Sequence, residues 1–176
     1  MKKALTSLLL ASALTFAARA ADVSTTLSDI HLCCQSCVKG VATAIAKAPG
    51  ATATCDQDAD TVTVTGPDTA TVQKGVDALT AAGYFGKSSN PEIKVNAETG
   101  AKNEKVQSLT IEDLHLCCGK CVKAVNETLS KVPGVTGNTA AKGAKTFTVT
   151  GDFNEKEVFD ALQKAGLTGH VAKGGA

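Results

Sequence analysis

The sequence has no tryptophan, a single tyrosine (Tyr84), and aromatic residues at only 3% of its 176 positions. Any core must therefore be small and built from Val, Leu, Ile and Ala. An excess of charge of one sign is also missing, with 18 basic residues against 17 acidic ones. A net charge of +1 provides no field to attract nucleic acid or an anionic membrane surface, so neither is an expected partner. The one long apolar stretch, residues 4–18, is shorter than the roughly 20 residues that span a bilayer, so the chain is not expected to be membrane-embedded. No Ser/His/Asp grouping, carboxylate pair or phosphate-cradling glycine loop stands out, and no enzyme is expected.

Hydrophobic residues at 43% and charged residues at 20% describe a folded chain. Its first twenty residues read as a secretory signal. Met1-Lys2-Lys3 is a basic start, residues 4–18 are apolar or small, and Ala18-Arg19-Ala20 places small residues at both positions that define a cut. Cleavage after Ala20 predicts a periplasmic or secreted protein, and no cysteine follows the cut to carry a lipid. The mature chain keeps 15 basic and 17 acidic residues, a net of −2.

All seven cysteines lie in that mature part, and six of them fall in two tight runs: Cys33, Cys34 and Cys37, then Cys117, Cys118 and Cys121. An exported protein rich in cysteine ordinarily suggests a disulfide framework. An odd number in tight runs argues instead for a site, because closing short loops constrains little chain.

The chain is written twice. Residues 28–39, with Ile30-His31-Leu32-Cys33-Cys34-Gln35-Ser36-Cys37, match residues 112–123 at an offset of 84. Pro49-Gly50 recurs as Pro133-Gly134, Thr63-Val64-Thr65-Gly66 as Thr148-Val149-Thr150-Gly151, and Ala82-Gly83 as Ala165-Gly166. A period this long indicates a duplicated domain rather than a solenoid, whose repeats run to about 20–50 residues. The expected division is a signal peptide at 1–20, domains at 21–90 and 106–176, and a polar linker at 91–105. The linker is long enough for sulfurs of both copies to meet on one ion.

Within the first copy, Thr26 to Leu32 reads as a strand, and Val38, Val41, Ala42 and Ile45 as one helical face stopped by Pro49-Gly50. Two short strands, 52–55 and 61–65, flank the turn-rich 56–60 segment. Val72, Val76 and Leu79 form a second helical stripe behind an Asp68 cap, and a last strand follows Tyr84. In the second copy, a strand at 109–116 precedes a Val122, Val125, Leu129 and Val132 stripe, and Asn154 to Glu157 has capping-box spacing. The order βαββαβ predicts an α+β fold of two tandem ferredoxin-like domains. Each would be a four-stranded antiparallel sheet with two helices on one face and the other face wet.

Each cysteine run sits at a helix start, where unpaired N–H groups and the helix dipole favour thiolate. A Cys-x-x-Cys pair aims two sulfurs at one ion, and the preceding Cys33 or Cys117 adds a third. Three thiolates suit trigonal Cu(I) or Hg(II), or leave Zn(II) one ligand short of tetrahedral. Alternation along the strand places His31 beside Cys33, and His115 beside Cys117. Each His reads either as a fourth metal ligand or as an exposed residue on the open sheet face. Cys55, whose counterpart is Thr139, reads as a small core residue, and His170 as a surface residue.

The Cys-x-x-Cys run between strand and helix, the βαββαβ order and the Ala82-Gly83-Tyr84 segment together resemble the heavy-metal-associated domain family, once in each copy. That family includes copper chaperones, metal-binding domains of heavy-metal ATPases and a mercuric-ion-binding protein. By this resemblance the metal-binding cysteines are Cys34 and Cys37, and Cys118 and Cys121. The family's apolar residue before the first cysteine is Leu32 and Leu116 here, its aromatic near the metal loop matches Tyr84, and Leu167 departs from it. The doubled cysteine is similar to that of zinc-, cadmium- and lead-associated members.

The resemblance implies a scavenger, carrier or metallochaperone that holds a soft ion, Cu(I) or Zn(II) with Cd or Hg as further candidates, at a cluster in each domain. A metal-transporting or metal-accepting protein is the implied partner. The competing reading is a thiol–disulfide oxidoreductase using the Cys-x-x-Cys pairs.

Overall fold

A computed structural model describes residues 22–173, so the signal-peptide reading of residues 1–20 lies outside the described residues. The first domain runs β1 (Val23–Ser28), α1 (Gln35–Ile45), β2 (Thr52–Asp56), β3 (Thr61–Gly66), α2 (Thr69–Ala81) and β4 (Lys87–Ser88). The second repeats this as β5 (Lys105–Glu112), α3 (Gly119–Leu129), β6 (Val135–Asn138), β7 (Thr146–Asn154), α4 (Glu155–Lys164) and β8 (His170–Val171). Both sheets are four-stranded and antiparallel, in the orders β2-β3-β1-β4 and β6-β7-β5-β8. These are two ferredoxin-like domains in tandem, as the βαββαβ order requires.

Threonine and valine alternate along β3, so Val62 and Val64 are buried while Thr61, Thr63 and Thr65 line the opposite face. On that outer face Thr26 and Thr63 share a hydroxyl hydrogen bond of 2.9 Å across paired strands. The β2–β3 turn is held by Asp56, whose carboxylate accepts from the Asp58 and Ala59 amides. Asp68 caps α2 by accepting from the Thr71 amide, and Asn154 caps α4 by accepting from that of Lys156.

Three local expectations change. Strands β1 and β5 end at Ser28 and Glu112, several residues earlier than predicted, because Asp29 and Asp113 adopt φ of 60° and 61° and turn the chain out of the sheet. Ile30, Leu32, Leu114 and Leu116 are nevertheless buried, now as loop anchors. The buried face of α1 is also rotated from the one expected: Ala42 is exposed, and Cys37, Val41, Ala44 and Ile45 point inward. A spacing of four makes Cys37, Val41 and Ile45 one stripe, and Cys121, Val125 and Leu129 repeat it in α3. Finally, the polar 91–105 segment is strapped down. Ile93 is buried, Gln73 brackets the Lys94 backbone with two hydrogen bonds of 2.7 and 2.8 Å, and the Val171 amide donates to Thr99 O.

The two domains meet through a short antiparallel contact made by the repeated Ala-Gly segments. Tyr84 and Leu167 form a β-bridge, Phe85 N donates to Gly166 O, and Thr168 N donates to Gly83 O. Gly83 and Gly166 have φ of +86° and +77°, and each lies flat against the other domain's loop backbone. A Cβ on Gly83 would stand 2.6 Å from Asp113 O and His115 N. Only glycine permits both the conformation and the approach.

Leu162 is fully buried in the second domain. Leu162→Ala is expected to cost about 2–5 kcal/mol, seen as a lower urea midpoint. Gly83→Ala is expected to leave each domain folded but pry them apart, raising the radius of gyration measured by small-angle scattering.

Candidate metal centre

The cysteines sit where the loops after β1 and β5 enter their helices. Cys34 and Cys118 are N-cap residues in extended conformation, with φ of −167° and −149°, and neither side chain caps its helix. Both sulfurs are thus left for other chemistry. Cys37 and Cys121, three residues on, belong to the apolar stripes and are fully buried. Cys33 and Cys117 precede the caps and are half-buried. Each loop is pinned from its own sheet: Ile30 N donates to Asp60 O, Gln57 Nε2 to Leu32 O, Asp113 N to Lys145 O and Gly143 N to Leu116 O.

The interdomain contact lays one loop directly on the other, so the two runs, expected as a site in each domain, merge into one group of six thiols. Within the first run, Cys33 and Cys34 stand 3.6 and 3.9 Å from Cys37. Within the second, Cys117 and Cys118 each stand 3.7 Å from Cys121. Contacts between the domains are as short: Cys33 to Cys118 and to Cys121 at 3.5 Å, Cys34 to Cys118 at 3.6 Å, Cys37 to Cys117 at 3.6 Å and Cys34 to Cys117 at 3.9 Å. Every one of the six is a free thiol.

A metal–sulfur bond of about 2.3 Å sets sulfurs about 3.8 Å apart around a tetrahedral ion and about 4.0 Å apart around a trigonal one. The shortest separations, 3.5–3.9 Å, lie close to both values. Such a donor set is soft throughout and fits ions of the Cu(I), Zn(II), Cd(II) and Hg(II) group.

Two histidines flank the sulfurs, and their surroundings differ. Tyr84, buried in the first domain, donates its hydroxyl to Cys37 O at 2.8 Å and lies 3.0 Å from Nε2 of His115. With the hydroxyl proton committed to Cys37, the hydrogen-bond network assigns Nε2 of His115 as donor to the Tyr84 oxygen. The residue paired with Tyr84 across the bridge is Leu167, which has no hydroxyl to offer. His31 accordingly keeps a buried Nε2 without a hydrogen-bond partner. Its ring lies within 4.8 Å of the Cys33 and Cys121 sulfurs. Neither histidine is the exposed sheet-face residue of the alternative reading; both are half-buried. His31 has the geometry of a candidate ligand, whereas His115 is held by Tyr84.

Electrostatics within the group are strongly coupled. Interaction with the neighbouring Cys121 thiol holds Cys37 well below the usual thiol range, and the same interaction pushes Cys121 above it. Burial, reinforced by neighbouring thiols, pushes Cys33 and Cys117 up. Cys118 feels desolvation too, yet the amide of Cys121 and the thiols of Cys33 and Cys34 bring it down to about 6. Burial also lowers the His31 pKa and favours the neutral ring that a metal requires.

Cys55 stays outside this group, half-buried in β2 opposite Val62, where burial raises its pKa. His170, read as a surface residue, is half-buried and its Nδ1 lies 2.6 Å from Glu98 O. Sequence reasoning missed Gln57 and Lys120, which bind the Leu32 and Cys33 carbonyls at 3.1 and 3.4 Å. Neither has a counterpart in the repeat that could have marked it.

Tyr84→Phe is expected to cost about 1 kcal/mol in a urea titration. It should also leave His115 Nε2 as unpartnered as that of His31, visible in the ¹⁵N shifts of the two rings.

Residues 108–168 match the heavy-metal-associated domain. Among solved structures, a copper-binding domain from the P-type ATPase HMA7 is 18% identical and aligns with 39% of this chain and 96% of its own, with a TM-score of 0.36. Oxidized MerP from Ralstonia metallidurans CH34 is 24% identical over 38% of this chain and 97% of its own, with a TM-score of 0.36. The N-terminal soluble domains of Bacillus subtilis CopA are 16% identical over 87% of this chain and 95% of their own, with a TM-score of 0.33. Residues 108–168 thus match the heavy-metal-associated domain, and the first domain repeats the cysteine motif and strand order of that stretch.

Proposed function

We propose that the protein is an exported, non-catalytic binder of a soft metal ion, acting as a scavenger, carrier or metallochaperone. The observation that carries this reading is the convergence of six free thiols from two domains at separations of 3.5–3.9 Å. Packing six thiols together uses no hydrogen bond that serine would not make better, and it gains most from a metal that prefers sulfur. The match of residues 108–168 to the heavy-metal-associated domain supports the same class of cargo. Export rests on the basic, apolar and small-residue order of residues 1–20. Among the described residues no helix is long and apolar enough to cross a membrane.

Access supports a carrier role. A hollow of about 370 Å³ lined by His31, Cys33, Gln57, Asp58, Asp60 and Lys120 reaches the sulfurs from solvent. Ligand exchange with a metal-accepting protein would proceed there, at half-buried Cys33, while Cys37 and Cys121 keep hold from within.

The low pKa of Cys118, beside Cys121 at 3.7 Å, also favours thiol–disulfide exchange as a second reading. The two are separated by one comparison. Reduced, anaerobic protein is expected to take up Cu(I) or Zn(II) in native mass spectrometry, and a variant with all six clustered cysteines changed to Ser is expected to lose that uptake. Uptake equal in the two proteins, with a pair of protons readily lost per run on mild oxidation, would instead establish redox chemistry.

A further inference from the structure

The six sulfurs do more than crowd together: their contacts define a closed polyhedron. Besides the separations already given, Cys37 and Cys121 are neighbours that each lie 3.5–3.7 Å from both Cys33 and Cys117, and the adjacent pairs Cys33–Cys34 and Cys117–Cys118 fall within 4.8 Å. Each sulfur then touches every other except one. The opposed pairs are Cys33 with Cys117, Cys34 with Cys121, and Cys37 with Cys118. Six vertices, each with a single opposite, form an octahedron whose eight faces are triangles. Its faces include Cys33/Cys118/Cys121, with edges of 3.5, 3.5 and 3.7 Å, and Cys33/Cys34/Cys118, Cys34/Cys37/Cys117 and Cys117/Cys118/Cys121, each with all sulfurs within 4.8 Å.

This shape selects among soft ions. A tetrahedral ion needs four sulfurs that are mutual neighbours, and any four vertices of an octahedron include at least one opposed pair. Zn(II) therefore finds no complete sulfur site inside the cage. A triangular face, by contrast, is a ready three-coordinate site for Cu(I). Faces that share only a corner come in two sets of four. Filling a set gives every sulfur two ions to bridge, so no donor is left over.

We infer that the two domains jointly hold one tetranuclear Cu(I)–thiolate cluster on this six-sulfur cage, rather than one ion each. His31 approaches the Cys33–Cys121 edge of this cage. Four Cu(I) ions on six thiolates make a cluster of charge −2, with no proton left on sulfur. No electron is transferred, since metal and sulfur keep their oxidation states. Filling the cage would fasten one domain to the other across the Gly83–Gly166 contact. The inference rests on the soft-metal reading above and adds its stoichiometry and its metal.

The test is an anaerobic Cu(I) titration of the reduced full chain followed by native mass spectrometry, run beside Cys33→Ser, Cys117→Ser and the variant with all six cysteines replaced. The expected result is a species with four copper ions and six protons fewer, dominant even when copper is limiting. Copper–copper scattering should appear in X-ray absorption. Cys33→Ser and Cys117→Ser leave both Cys-x-x-Cys pairs intact, and each is expected to abolish the four-copper species while circular dichroism stays native. Stepwise uptake of one and then two ions, unchanged in these two variants, would overturn the shared cluster and leave the soft-metal reading standing. Copper uptake no greater than that of the six-cysteine variant would overturn both.

Discussion

The close backbone approach of Gly83 and Gly166 to the opposite domain is the contact on which the site depends. Each domain alone presents three thiols on a loop between strand and helix. The β-bridge between Tyr84 and Leu167, with the Phe85 and Thr168 amides donating across it, brings those loops face to face. A side chain at either glycine would meet loop backbone at 29–31 or 113–115, the segments that lead into the cysteines. The geometry of the thiols is thus set by a contact between two peptide backbones, which is stiffer and more exact in register than contacts between flexible side chains.

The domains are near copies, but the centre they make is not symmetric. Tyr84 reaches from the first domain into the second and engages His115, while Leu167, its counterpart, offers His31 only a hydrocarbon surface. One histidine becomes part of the scaffold, its ring fixed by a hydroxyl that also ties down the Cys37 carbonyl. The other keeps an unsatisfied nitrogen beside the sulfurs. A buried polar atom without a partner is costly in a finished core. Here that atom faces the Cys33 and Cys121 sulfurs. Duplication supplied the two halves, and a single hydroxyl distinguished their roles.

Much of this was legible in the chain. Spacing of valines and leucines located the helices, alternation of threonine and valine located the inner strands, and Asp68 and Asn154 marked helix starts that the structure confirms. The ends of β1 and β5 were misplaced because apolar alternation continues through Ile30 and Leu32, which are buried as loop residues rather than strand residues. Periodicity reports burial and is blind to which backbone carries it. Cys37 and Cys121 were recognised as candidate ligands but not as members of the apolar stripes, because a helical face was drawn through valines alone.

The sequence by itself determined the local parts: two βαββαβ units, cysteines at two helix starts, and a histidine two residues before each run. These follow from neighbours within a few residues, where hydrogen-bonding patterns and side-chain period leave few choices. Only the tertiary structure decided that the two runs form one centre, that Tyr84 serves the opposite domain's histidine, and that the 91–105 segment is strapped against the core. Those contacts join residues from 21 positions apart, as in Gln73 and Lys94, to 85, as in Cys33 and Cys118. Their register is fixed by how two folded surfaces fit, which no local pattern encodes.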